Sequence, residues 1–156
     1  MANIKLKISK KTAFFIIFVV FFVLLDRVIV ALCLSGFFNE PVSVIGNIFS
    51  LYYVKNYGIA FSLPFYGLFL NIIIGLIILS LVVFFIKSFY LSNNQTQNMS
   101  KYPLTILVVG AILNLVDRLK FGFVIDYFNL KYFTVFNLAD IMIVAGVLLL
   151  IIFNRR

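Results

Sequence analysis

The chain has 156 residues, 64% of them apolar, 12% charged and 18% aromatic, with a mean hydropathy of +1.17. A soluble domain is about half apolar and a quarter charged, so this composition argues against a water-soluble fold and for a single domain, residues 1–156, immersed in lipid. Thirteen basic against five acidic residues give a net charge of +8, and the chain has no His, no Trp and one cysteine, Cys33. These absences exclude disulfides within the chain, Cys/His zinc sites and His-dependent nucleophilic triads, and the carboxylate chemistry read below is expected to need no metal or cofactor. Acid–base chemistry falls to Asp26, Glu40, Asp117, Asp126 and Asp140, or to Lys and Tyr.

The predicted class is an all-α membrane protein with four transmembrane helices and a small extracytoplasmic β element between the first and second. The first apolar window, 13–34, follows four lysines and is interrupted by Asp26-Arg27. Its charged centre and the three further windows favour an uncleaved span over a signal peptide. Ile48 to Val54 is rich in strand formers, and Lys55-Asn56-Tyr57-Gly58 supplies turn chemistry. An open sheet edge is not viable in hydrocarbon, so this strand or hairpin belongs at the interface or against the helices. The second window is 67–86, followed by a polar, aperiodic stretch at 91–98 that reads as an exposed linker. The third is 102–119, ending in Asp117-Arg118; a short outer loop carries Asp126; the fourth is 135–153, with Asp140 near its outer end. Each window is near the roughly 20 residues a helix needs to cross a bilayer.

Threading these spans alternately places Lys5, Lys7, Lys10, Lys11, Lys87, Lys101, Arg155 and Arg156 on one side, with no acid among them. Basic residues favour the cytoplasmic side, so both termini are expected there and every carboxylate lies in the membrane or towards its outer face.

Asp140 lies roughly 7 Å below the outer end of its window. A central Asp costs about 2.5 to 3.5 kcal/mol to insert, less near the interface, so such acids face a partner or a watery cavity. Asn137, three residues earlier, shares its helical face; a plain interhelical contact would need only one of the two. Gly110, Asn114 and Asp117 form one stripe that should face the bundle interior. Arg118 points elsewhere, towards another acid, a backbone carbonyl or a headgroup, and an ion-pair clamp at the membrane surface accounts for Asp117 and Arg118 as well as a chemical role does. Asp126 is separated from Asp140 by only a short connection, so the two carboxylates can converge at the outer boundary. A close pair cannot ionise twice cheaply and shares a proton, leaving one member as base and the other as acid, which is what hydrolysis of a peptide by activated water requires. Asp26 reads as a support that hydrogen-bonds the extracytoplasmic strand or packs helices, with Arg27 snorkelling outward. Asn56 and Gly58 suit a tight turn, and Asn56 can bind a substrate backbone. Cys33 reads as a small apolar residue.

Asn56-Tyr57-Gly58-Ile59-Ala60-Phe61, Asn114-Leu115-Val116-Asp117-Arg118, Gly122-Phe123-Val124-Ile125-Asp126-Tyr127 and Phe136-Asn137-Leu138-Ala139-Asp140, in this order, resemble the motifs of the lipoprotein signal peptidases, four-helix aspartyl proteases of the bacterial cytoplasmic membrane. The resemblance implies Asp126 and Asp140 as the catalytic pair. Asp26, Asn56, Gly58, Asn114, Asp117, Arg118 and Asn137 would support the site or bind substrate. It also implies a prolipoprotein substrate, cut just before a cysteine that carries diacylglycerol. The expected partners are that substrate and membrane lipid, with no nucleic acid and a monomeric enzyme. Two rival readings are a small proton-coupled transporter, whose acids belong near the midplane, and a non-catalytic scaffold. The sequence departs from the family pattern where Val30 stands for a basic residue, Val109 and Leu113 for glycines, and Thr134 for a proline.

Overall fold

A computed structural model describes residues 9–58, 68–91 and 95–154. Eight elements follow in order: α1 (Lys10–Leu34), β1 (Val42–Ile45), β2 (Phe49–Asn56), α2 (Leu68–Leu91), α3 (Gln95–Phe121), β3 (Val124–Leu130), β4 (Val135–Phe136) and α4 (Leu138–Asn154). Four helices and a small antiparallel sheet are present, as expected. Ile59 to Phe61 of the first motif, residue 67 of the second window, residues 92–94 of the polar stretch and the terminal basic residues lie outside the described residues.

The helices pair chiefly through α3, which contacts α4 along its length and α2 more briefly. Gly110 permits the tight contact: a Cβ there would meet the Ala139 carbonyl oxygen at 2.6 Å and Met142 Cβ at 3.0 Å. One turn later Asn114 therefore faces the start of α4. Val109 and Leu113, the residues standing for glycines, pack with Phe22, Val23, Ala139 and Met142 where α1, α3 and α4 meet. Outward faces are apolar and exposed, as at Phe14 (73%), Leu24 (59%), Phe84 (59%) and Ile152 (51%), a surface of the kind that meets a membrane or another protein. Among the described residues, α1 is long and apolar enough to cross a membrane unaided, and Ile72–Lys87 and Leu138–Phe153 form shorter apolar helices.

The β element is larger than expected and differently sourced. It is a four-stranded antiparallel sheet in the order β1-β2-β3-β4, and half of it comes from the connection between α3 and α4 that the sequence presents as a loop. Asp126 accordingly lies in a strand, opposite Val54 of β2. The first four residues of β3 are all buried, so the alternation that marks a half-exposed strand is missing. Gly122, at φ +83°, makes the turn: its N–H donates to the Arg118 carbonyl at 2.9 Å, closing α3 with a left-handed cap and sending the chain straight into β3. A bulge sets Tyr52 and Tyr53 against Tyr127 alone, between the pairs Leu51–Phe128 and Val54–Asp126. Such bulges re-aim side chains beside functional sites.

The helix bounds also shift. Residues 95–98 of the expected linker belong to α3, where polar residues all round leave no periodicity to read. The fourth window loses Val135 and Phe136 to β4, because Asn137 rather than Val135 opens the helix. A core cluster of Val30, Cys33, Phe38, Ile125, Tyr127 and Leu138 welds the end of α1, the sheet and the start of α4 together; Cys33 is a buried apolar member of it, as expected.

Candidate active site

The site is built where β3, the end of α3 and the start of α4 meet. Asn137 begins α4 by a reciprocal cap: its Oδ1 accepts from the Asp140 N–H at 2.8 Å, and Asp140 Oδ2 accepts from the Asn137 N–H at 3.3 Å. Side-chain caps of this kind satisfy donors that a helix start leaves unpaired, and a carboxylate there gains from the helix dipole. Asn137 then spends its amide on the strand, donating Nδ2 to Asp126 Oδ1 at 3.0 Å and Asn114 Oδ1 at 3.1 Å, with a longer contact of 3.4 Å to the Ile125 carbonyl. Asn114 Nδ2 donates to Asp140 Oδ1 at 2.7 Å. The two carboxylates thus converge on one amide pair, Asn137 and Asn114.

From the other side, Asn56 Nδ2 donates to Asp126 Oδ2 at 2.8 Å, while Asn56 Oδ1 accepts from the Gly58 N–H at 3.1 Å. One side chain therefore shapes the turn and holds the acid. Arg118 donates Nη2 to the Gly58 carbonyl and Nη1 to the Tyr57 carbonyl at 3.4 Å. Of the partners open to Arg118 in the sequence, the structure selects the backbone carbonyls, and its charge also acts on Asp126 and Asp140. Asp126 and Asn137 are buried, whereas Asp140, Asn114 and Asn56 are only half-buried. The site thus opens on the side of those three residues.

Burial, and next the negative charge of Asp140, push the Asp126 carboxyl from its ordinary 3.8 up to about 7, against the opposing pull of the Asn56 and Asn137 amides and of Arg118. A carboxyl in that range is partly protonated near neutrality, where a general acid or base is most effective. Among the described residues no three His, Cys, Asp or Glu side chains gather closely enough to hold a metal ion.

A second layer lies beneath. Asp26 accepts from Tyr127 Oη at 2.8 Å, so it bonds β3 and not the strand expected at 48–54 or its turn. Asp117 accepts from the Ile125 N–H at 3.4 Å. Arg27 does not snorkel outward; it bridges both acids, at 2.5 Å to Asp26 and 2.6 Å to Asp117, and so supplies the cation that the sequence lacks at Val30. Two unneutralised carboxylates in an apolar interior cost far more than exposure of the guanidinium saves. Tyr127 is the residue that the sequence does not single out: it is fully buried, and a phenol enclosed in this way needs a partner, which is the only signal available beforehand.

Residues 17–155 match the family described as Signal peptidase (SPase) II. The chain is 41% identical over 126 residues to a lipoprotein signal peptidase of Caldicellulosiruptor bescii, covering 81% of this chain and 80% of that one. It is 35% identical over 145 residues to the lipoprotein signal peptidase of Clostridium tetani, covering 88% and 90%. A bacterial membrane enzyme solved by the in meso method at 2.3 Å resolution superposes with a TM-score of 0.73 at 28% identity, over 90% of this chain and 86% of the other. A match over nearly the whole chain, with the described residues of the four motifs brought to one site, leaves a single assignment: this protein belongs to the signal peptidase II family.

Proposed function

We propose that the protein is an intramembrane aspartyl endopeptidase in which Asp126 and Asp140 share one proton and direct water onto the peptide bond preceding a diacylglyceryl-modified cysteine. Family membership supports the coarser statement, removal of signal peptides from prolipoproteins. The observation that supports the finer one is that both carboxylates accept from Asn137, Asp126 Oδ1 from its Nδ2 and Asp140 Oδ2 from its backbone N–H. In this reading the four helices all cross the cytoplasmic membrane of a bacterium, both termini face the cytoplasm, the sheet and the acids sit at the outer face, and the enzyme works as a monomer.

The chemistry follows from the donors present. The ionised carboxylate removes a proton from water as its oxygen attacks the scissile carbonyl carbon. The protonated partner donates a hydrogen bond to the carbonyl oxygen, where charge develops. Collapse of the tetrahedral species breaks the C–N bond; a proton goes to the departing nitrogen, leaving a new carboxylate on the signal peptide and a free amine on the lipidated cysteine. Asn56, Asn137 and Asn114 keep the carboxylates oriented, so little reorganisation accompanies attack. Arg118 holds the Tyr57–Gly58 backbone where an extended substrate can pass the half-buried edge. Asp126 lies in β3 and Asp140 in the first turn of α4, away from the middle of any helix, which favours hydrolysis over proton transport through a midplane site.

Purified protein in lipid vesicles should shorten a precursor whose cysteine carries diacylglycerol and leave the unlipidated precursor intact. Equal cleavage of both would remove lipid recognition from the account, and cleavage of neither would remove the peptidase. The rate should also report the proton. Because Asp126 holds it up to about pH 7, kcat/KM, which follows the free enzyme, should fall by about tenfold per pH unit above that point. A profile flat to strongly alkaline pH would contradict a shared proton.

A further inference from the structure

Beneath the acids, one guanidinium reaches both sides of the catalytic strand. Arg27 Nε and Nη2 donate to Asp26 Oδ2 at 3.0 and 2.5 Å, and Nη1 donates to Asp117 Oδ1 at 2.6 Å. Both acids are 1% exposed, so each depends on this cation for neutralisation. Each then grips β3 with its second oxygen. Asp117 Oδ2 takes the N–H of Ile125, the residue before Asp126, and Asp26 Oδ1 takes the hydroxyl of Tyr127, the residue after it. Tyr127 Oη also accepts from the Leu138 N–H at 3.0 Å, which fixes the first residue of α4 two positions before Asp140.

We propose that Arg27 is a positioning residue: by bridging Asp26 and Asp117 through one guanidinium, it sets the separation of Asp126 and Asp140 through Ile125, Tyr127 and Leu138. The inference rests on the reading of Asp126 and Asp140 as the catalytic pair. Planarity is what the role needs. Three donors in a rigid fork fix two carboxylates relative to each other, while a lysine ammonium supplies the charge without the orientation. The chain touches no reacting atom, so its removal acts on the rate of the chemical step rather than on substrate affinity.

The test uses full-length protein in lipid vesicles, a diacylated precursor peptide and four variants: Arg27→Gln, Arg27→Lys, Tyr127→Phe and Arg27→Gln with Tyr127→Phe. A displacement of about 1 Å far from the chemistry can cost roughly a hundredfold, and that is the expected fall in kcat for folded Arg27→Gln. KM should stay within about twofold, since no ground-state contact is lost. Arg27→Lys should recover part of the rate. Acids held less closely repel each other less, so the two limbs of the kcat–pH profile should draw together, a change that a loss of folded protein does not produce. Tyr127→Phe removes one oxygen and keeps the ring, so it serves where Arg27→Gln fails to fold. It should lower kcat by about tenfold and narrow the profile in the same sense, the double variant falling no further than Arg27→Gln because both act through one chain of contacts.

Wild-type kcat and pH profile in folded Arg27→Gln, or in Tyr127→Phe where the former does not fold, would overturn the proposal. Asp126→Asn and Asp140→Asn are run beside these variants. If they are inert while the Arg27 and Tyr127 variants match wild type, this inference alone fails; if they turn over, the catalytic pair fails and the inference with it.

Discussion

Asp126→Asn and Asp140→Asn are each expected to abolish cleavage of a diacylated precursor while the protein inserts and folds normally. The amide keeps the shape of the carboxyl and can still accept on its oxygen, but it neither takes a proton from water nor shares one. General acid–base catalysis contributes about 10² to 10⁴-fold; here one residue in each role means that either loss removes both, and the double variant should be no slower than the singles. Folding should survive at a modest cost: the amide keeps the carboxyl's shape, but Asp126 accepts at both oxygens, from Asn137 and Asn56, so the new Nδ2 faces a donor, a buried mismatch of about 1 to 3 kcal/mol. The measurement is product formation by mass spectrometry, normalised to folded protein. Turnover within about tenfold of wild type in either variant would be too fast for the loss of such a catalyst.

Asn137→Ala carries the second large effect, on stability and rate together. Asn137 is 1% exposed, caps α4 through Oδ1, and donates to Asp126 and Asn114 through Nδ2. Loss of the cap costs about 1 kcal/mol. Stranding a buried acceptor costs about 1 to 3 kcal/mol more, so a destabilisation of roughly 2 to 4 kcal/mol is expected by denaturant titration. The rate should fall by about a hundredfold, because the amide that orients Asp126 and the cap that fixes Asp140 go together. Asn137→Asp is the informative companion. It keeps the cap but places a third carboxyl beside Asp126, so activity should be lost with much of the stability retained at low pH. Similar kcat in Asn137→Ala and wild type would mean that Asn137 is only a helix cap.

The helices were legible because apolar runs are written directly in composition: the expected 13–34 lies inside α1, Lys10–Leu34, and the expected 67–86 lies almost wholly inside α2. That Asp126 and Asp140 meet the same amide, Asn137, was legible because carboxylates in an apolar chain are costly and few. Strand β3 was not, since Val124, Ile125, Asp126 and Tyr127 are buried on both faces and lose the alternation by which a strand announces itself. Arg27 was misdirected for a related reason. Arginines near an interface snorkel when nothing inside attracts them, and only the fold brings Asp117, 90 residues later in the chain, within 2.6 Å. Tyr127 shows the same limit: its two partners, Asp26 and the Leu138 N–H, come from helices at opposite ends of the sequence. What remained hidden was therefore the long-range polar scaffold beneath the acids, not the acids themselves.

The most direct measurement follows the shared proton itself. An infrared titration of isotope-edited aspartate in vesicle-embedded protein reads the carboxylic acid stretch of Asp126 against pH, with Asp140→Asn as the comparison. Asp126 is expected to be protonated and to titrate near pH 7 in the wild type, and at a lower pH once the neighbouring charge is gone. An Asp126 that ionises in the ordinary carboxylate range, or whose midpoint is the same in Asp140→Asn, would mean that the two acids do not hold a proton between them.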